Sequence, residues 1–205
     1  MGGNLLRGAI FGAGSIAPYH LRAWSRIPEV RIVALANRTR EKASRLGREF
    51  GIDEAHIYAD YRDLLAYEKL DFVDITTAPS VHYEQVLAAA RCGIHILCQK
   101  PLTTSLQDAR ALIVACEQAG VRLVVHENWR WRPWYRQLKQ WLEAGMIGRP
   151  RYAAVRVHTD ALLPHEAAVP ELLVRQPYLR YLERLLLLDW GIHFFDIIRF
   201  LFGRI

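Results

Sequence analysis

Of the 27 lysine and arginine residues in this 205-residue chain, only four are lysines: Lys42, Lys69, Lys100 and Lys139. Lys100 closes the apolar run "HILCQKPL" (95–102) and is held against Pro101. A lysine so placed can reach water along its aliphatic stem. It can also hydrogen-bond a hydroxyl or carbonyl oxygen and stabilise negative charge that develops there. Near the other end, "DWGIHFFD" sets Asp189 and His193 four residues apart, on one face of a helical turn. An imidazole can take or give a hydroxyl proton near neutral pH, and Asp189 can orient it or bind substrate hydroxyls.

The elements that must position these groups follow a regular rhythm. "RGAIFGAG" (7–14) reads as a short strand, and "SIAPYHLRAWSRI" places Ile16, His20, Leu21, Trp24 and Ile27 at helical spacing. Strand-like and helical segments then alternate through "VRIVALANR", "TREKASRLGREFG", "DYRDLLAY", "DFVDITT", "VHYEQVLAAARCG", "HILCQKP", "SLQDARALIVACEQAG" and "RLVVHENW". Gly51, Gly93 and Gly120 stand where helices should close. The expected fold is α/β, an N-terminal doubly wound parallel sheet of the Rossmann type over residues 1–128.

Within that frame "GAGSIA" (12–17) gains meaning, because it follows a strand and opens a helix. Gly12 suits the tight turn, Gly14 lets backbone approach a pyrophosphate, and Ala17 permits close packing of helix on sheet. Ser15 and Ile16 belong to the same helix N-terminus, whose N–H groups favour phosphate. The second strand ends "LANRT", where Asn37 can bond a ribose hydroxyl and Arg38 can face a 2′-phosphate. The cofactor expected is NAD(P), with Arg38 leaning the choice to NADP; a solvated helix-start arginine is the other reading of that residue. Lys100 then falls at the carboxyl edge of the sheet, where ligands of such folds bind.

From Trp129 the rhythm changes. "PWYRQLKQWLEAG" reads as a helix with Pro133 in its first turn, and "RYAAVRVHTD" (151–160) alternates like a half-buried antiparallel strand. An irregular stretch containing Pro164, Pro170 and Pro177 follows, and "LLDWGIHFFDIIRFLFG" reads as one apolar amphipathic helix. Residues 129–205 look like the start of a second, incomplete domain, since one strand and one helix do not make a sheet.

The net charge of +6 and the arginine-aromatic run "NWRWRPWYRQ" (128–137) admit a single-strand nucleic-acid reading. The charges are otherwise spread along the chain, so no nucleic-acid partner is expected, and Trp129, Trp131 and Trp134 are read as core and cleft residues. No apolar run approaches the roughly 18 residues of a membrane span, and the N-terminus lacks the charged start of a signal peptide. The expected setting is the cytoplasm. Cys92, Cys98 and Cys116 read as reduced core thiols. His158, Asp160 and His165 read as loop or strand polar residues, and no metal site is expected.

GAGSIA, QKPL, "HENWRW" and Asp189-x-x-x-His193 followed by "FDIIRFLFG", in this order, resemble the Gfo/Idh/MocA oxidoreductases, relatives of glucose-fructose oxidoreductase and inositol dehydrogenase. The resemblance implies a Rossmann domain followed by an α/β domain with a mostly antiparallel sheet, which in the family also makes oligomer contacts. It implies hydride exchange between nicotinamide and a hydroxyl-bearing carbon of a sugar, cyclitol or similar polyol. By position, Lys100 matches the lysine of the family's Glu-Lys-Pro motif, His193 its catalytic histidine, and Asp189 an assisting carboxylate that also binds substrate. Thr77, His82, Gln99 and Asn128 match the cofactor side, and Arg130 the substrate side. Gln99 stands where the family usually carries glutamate, and the second domain is short. Two other readings therefore stay open: a non-catalytic dinucleotide-binding or interaction protein, and a redox-neutral enzyme resembling NAD-dependent glycosidases.

Overall fold

The computed structural model describes residues 5–160, 162–163 and 169–203. The chain divides into two compact units, Met1–His126 and Glu127–Ile205.

The first unit is built on six parallel strands, β1 (Leu6–Phe11), β2 (Val30–Ala36), β3 (Ile57–Tyr58), β4 (Phe72–Ile75), β5 (His95–Gln99) and β6 (Leu123–His126). Their spatial order is β3-β2-β1-β4-β5-β6. The helices between them are α1 (Ala17–Trp24), α2 (Arg40–Glu49), α3 (Tyr61–Tyr67), α4 (Pro79–Arg91) and α5 (Leu106–Gln118). Chain direction reverses its progress across the sheet between β1 and β4, and this is the switch point at which such sheets open a crevice. The two-residue strand β3 has too little apolar sequence to show a period of its own; it exists because Leu35 and Ala36 of β2 offer a free edge to Ile57 and Tyr58.

The period of two along the strands sorts the core into two layers. Ala9, Phe11, Val73, Ile75, Ile96 and Cys98 pack with Val86, Ala89 and Ala90 of α4 and with Leu112 and Cys116 of α5. Ile10 and Leu35 point to the other face, against Ala17 and Leu21 of α1 and Ala43 and Leu46 of α2. Every residue of β4 is buried, as expected for a central strand covered on both sides. Full burial of each large aliphatic side chain contributes about 1.5–3 kcal/mol. On β4 the position in register with Ile10 is Asp74, which carries a carboxylate into the layer facing α1.

Phe72 needs room of a different kind. A Cβ at Gly8, its partner in register, would fall 2.3 Å from the Phe72 ring, so only glycine lets the ring lie across β1. Trp24 of α1 then meets the same ring with centroids 4.9 Å apart.

In the second unit a 3₁₀ turn (Trp129–Trp131) leads into α6 (Pro133–Glu143). A short helix α7 (Glu171–Arg175), a further 3₁₀ turn (Pro177–Tyr181), a π-helical turn (Leu186–Gly191) and helix α8 (Ile192–Phe202) follow. On α8 the buried residues His193, Ile197 and Leu201 are spaced by four, which places them on one face. The single amphipathic helix expected over 187–203 is thus a π turn joined to an α-helix.

Three expectations are corrected. Residues 151–160 are exposed throughout and have no regular secondary structure. Their alternation is that of a strand, but a strand needs hydrogen-bonded neighbours, and the second unit has no strand among its described residues. Trp131 and Trp134 are 62% and 57% exposed, so they are not core residues. Cys92 is exposed at the end of α4, whereas Cys98 and Cys116 are buried. No helix among the described residues is long and apolar enough to cross a membrane.

Candidate functional site

The first unit gathers its candidate residues at the carboxyl edge of β1, β2, β4 and β5. Gly12 follows β1 with φ +103°. A Cβ there would sit 3.0 Å from Thr76 Oγ1 and from Thr77 Cγ2, so both backbone and space require glycine. Gly14 differs in kind. Its φ is not left-handed and an added Cβ would meet nothing within 4 Å. The protein itself has no need of glycine at this position, and the space beside the backbone is open to a ligand.

Gly14, Ser15 and Ile16 are exposed, and α1 begins with no side-chain cap at Ile16. The Ala17 and Tyr19 N–H groups already bond the carbonyls of Gly14 and Ile16 at 3.3 and 3.0 Å. The donors that face outward are therefore those of the exposed turn Gly14, Ser15 and Ile16, which with the dipole of α1 behind them suit a pyrophosphate. Ala17 is fully buried against the sheet. Pro18 enters the first turn of α1 without giving up a needed donor.

The turn is braced from both sides. Thr76 Oγ1 donates to the carbonyl of Phe11 at 3.0 Å or that of Gly12 at 3.2 Å. Asn37 Oδ1 accepts from the Ala13 N–H at 3.0 Å while Nδ2 donates to the Thr39 carbonyl at 2.8 Å. Asn37 thus clamps the glycine turn to the start of α2, with one amide hydrogen and one oxygen lone pair left over for a ribose. Arg38 beside it is exposed and makes no hydrogen bond or ion pair with another described residue. Thr77 donates its hydroxyl to Gln85 Oε1 at 2.6 Å.

Lys100 follows the last residue of β5 and is half-buried, and its peptide bond to Pro101 is cis. Gln99 turns back on the chain: its Oε1 accepts the Lys100 N–H at 3.2 Å. His82, expected to line the cofactor, is wholly buried instead. Its Nδ1 and Nε2 each lie 3.0 Å from a carbonyl oxygen, of Pro101 and Thr77 respectively. His82 thereby staples α4 to the backbone after Lys100. Burial holds its pKa below the ordinary histidine value, and the carbonyls of Thr77, Pro101 and Leu102 oppose that shift. Burial likewise raises the pKa of the Cys98 thiol, which keeps it protonated and inert.

The second unit holds a histidine in a defined pose. His193, 8% exposed on α8, has its Nδ1 2.8 Å from both Oε1 and Oε2 of Glu127. Its ring lies flat on Trp129, centroids 4.4 Å apart and planes 4° off parallel. The Arg132 guanidinium covers Trp129 at 4.2 Å, and Phe194 meets it edge-on. The orienting role expected of Asp189 is filled here by Glu127, a residue of "HENWRW" that spacing alone does not connect to His193, 66 positions away. Asp189 is buried in the π turn; burial, with the Asp189 charge adding to it, pushes the Tyr178 hydroxyl up to about 12.

Arg130, expected at the substrate, is engaged otherwise. Its Nε donates to Asp196 Oδ2 at 2.8 Å and its terminal nitrogen to Oδ1, a two-pronged pair that ties the 3₁₀ turn to α8. That bond raises the arginine's pKa. Asn128 is exposed, and its carbonyl accepts from the Trp131 N–H as the turn begins. No group of three or more His, Cys, Asp or Glu residues among the described residues is arranged to hold a metal. His158 and Asp160 lie in the exposed segment, and His165 is outside the described residues.

Comparison with known proteins gives this geometry a lineage. Residues 6–127 match the model of the oxidoreductase family with an NAD-binding Rossmann fold, and residues 135–205 match the Gfo/Idh/MocA C-terminal domain. The chain is 42% identical over 200 residues to D-apiose dehydrogenase of Paraburkholderia graminis, covering 97% of this chain and 50% of the relative. Over 200 residues it is 35% identical to D-apiose dehydrogenase of Rhizobium rhizogenes, covering 98% and 55%. A crystal structure of an oxidoreductase from Agrobacterium radiobacter, in complex with NAD+, L-tartaric acid and magnesium, superposes with a TM-score of 0.84 at 34% identity, covering 98% of this chain and 55% of that one. The chain therefore spans about half the length of the relatives it matches.

Proposed function

This chain belongs to the Gfo/Idh/MocA oxidoreductase family, and from that premise we propose that it serves an NAD(P)-dependent dehydrogenase acting on a hydroxyl-bearing carbon of a sugar, cyclitol or similar polyol. The observation that carries the reading is Gly14, at the mouth of the β1–α1 turn, where an added Cβ would meet nothing within 4 Å. Residues 1–128 form the dinucleotide-binding domain in this proposal. Residues 129–205 open the α/β domain with its mostly antiparallel sheet, in which the alternating segment 151–160 is available for strand pairing.

Gly12, Gly14, Ser15, Ile16 and Ala17 hold the pyrophosphate, Asn37 and Arg38 the adenosine ribose, and Thr77, Gln99 and Lys100 line the nicotinamide side. Asn128 remains exposed for a cofactor contact. The exposed Arg38 side chain, without a partner among the described residues, favours a 2′-phosphate and hence NADP. Bound here, a nicotinamide dinucleotide supplies the hydride acceptor or donor at C4.

Lys100 Nζ donates to the substrate oxygen and stabilises the negative charge that builds there as the hydride leaves carbon. His193 moves the proton. With Nδ1–H committed to Glu127, the neutral ring presents a lone pair at Nε2, which takes the hydroxyl proton in oxidation and returns it in reduction. Asp189 binds a neighbouring hydroxyl. The D-apiose relatives favour a pentose as substrate.

The test is turnover of NAD+ and NADP+ with a panel of aldoses, including D-apiose, and cyclitols. Reduced nicotinamide should accumulate steadily with at least one of them. Lys100→Met should lower kcat about a hundredfold or more while cofactor affinity holds. Cofactor binding with no turnover on any substrate would leave the non-catalytic reading in its place.

A further inference from the structure

A carboxylate in the middle of a buried central strand is expensive unless its partners are supplied. Asp74 of β4 is fully buried, and α1 supplies both partners of one oxygen: Oδ2 accepts from His20 Nδ1–H at 2.8 Å and from Trp24 Nε1–H at 2.7 Å, while Oδ1 is buried with no hydrogen-bond partner among the described residues. His20, 6% exposed, turns Nδ1 to this carboxylate, and in the neutral tautomer that donates there Nε2 bears a lone pair. That lone pair meets Gln99, whose Nε2 lies 2.9 Å from His20 Nε2. The other end of the same carboxamide accepts the Lys100 N–H. His126 at the end of β6 lies against the His20 ring, centroids 4.4 Å apart, which fixes the ring plane.

We infer that His20 is a positioning residue for Lys100: anchored on Asp74, it sets the Gln99 carboxamide, which holds the backbone amide from which Lys100 projects. The run Asp74, His20, Gln99, Lys100 crosses from β4 through α1 to the end of β5, so its first two links each join different elements and the third turns back on the adjacent residue. Direction is uniform along it: imidazole donates to carboxylate, amide donates to imidazole, and the Lys100 N–H donates to the amide oxygen. Glutamine suits the link because one end donates while the other accepts. A carboxylate at 99 has acceptors only, so it would meet the His20 lone pair with no proton between them unless the imidazole took a second one.

The inference deepens the role given to Lys100 above, and its test separates the two. The Lys100 amide exchange rate and the nitrogen shifts of His20 are read by NMR on the full chain, with no turnover required. His20→Phe keeps the ring and removes both nitrogens. Gln99→Leu removes the carboxamide. Each should speed Lys100 amide exchange about five- to tenfold, the loss of roughly one hydrogen bond. The double variant should exceed neither single variant. In the unaltered chain His20 Nε2 should show the shift of an unprotonated nitrogen, and in Gln99→Glu that of a protonated one. Should His20→Phe unfold the chain, the Gln99→Glu comparison stands alone. Unchanged Lys100 exchange in a folded His20→Phe chain, or a His20 Nε2 shift that ignores Gln99→Glu, overturns the inference. Loss of turnover in Lys100→Met with intact His20 shifts bears only on catalysis.

Discussion

His193 and Glu127 lie 66 positions apart in sequence, yet the carboxylate spans Nδ1 of the imidazole with both oxygens at 2.8 Å. The ring is stacked on Trp129 at the same time, so its tilt and its rotation are both set. An imidazole held at one nitrogen and along one face in this way suits the base role proposed for His193.

Removing the charge from that anchor while keeping its shape should separate orientation from electrostatics. In Glu127→Gln an amide oxygen still accepts from Nδ1, but the carboxylate that would stabilise the imidazolium is gone. We expect kcat for polyol oxidation to fall about tenfold or more, with cofactor Kd unchanged. An unaltered kcat would remove Glu127 from the proton path.

His82 makes a prediction about pH and stability. Burial lowers its folded-state pKa below the ordinary value of 6.5, so the unfolded chain takes a proton more readily than the folded one. Above that ordinary value both states are neutral and no penalty applies. As pH falls below it, the unfolded state gains protons first and stability declines. Urea denaturation from about pH 7.5 to about pH 5.5 should show this decline in the native chain and a smaller one in His82→Gln. Equal slopes would show that another group carries the dependence.

Arg38 decides cofactor choice in this account. Arg38→Asp removes the partner for a 2′-phosphate and supplies an acceptor for ribose hydroxyls, so the ratio of NADP to NAD affinity should fall about tenfold or more. A ratio that does not move would assign Arg38 to solvent.

The doubly wound sheet was legible because its signals are local. Apolar strands of period two, helices closed by glycines, and GAGSIA at a strand-to-helix junction each declare themselves within a dozen residues. Gly12 and Gly14 illustrate the limit of that legibility. Sequence makes them alike, whereas the structure shows that the first is required by Thr76 and Thr77 and the second by nothing in the protein.

What stayed hidden depended on long-range pairing. Arg130 reads as a cation free to bind substrate until Asp196 engages it, and His82 reads as a ligand contact until two carbonyls enclose it. No spacing in the sequence connects Asp74 in "DFVDITT" with His20 in "APYH", because their meeting requires β4 and α1 to be packed together. The alternation in 151–160 is a property of the segment alone, and pairing is not.

The most direct test of the account is a calorimetric titration of NADPH and NADH into the native chain and into Gly14→Val. A valine side chain there fills space that the protein leaves open, so thermal stability should stay within about 0.5 kcal/mol of the native chain. Dinucleotide affinity should drop about a hundredfold or more, since the pyrophosphate can no longer approach the backbone. Cofactor bound equally well by Gly14→Val, or by neither chain, would contradict the assignment of this edge as the dinucleotide site.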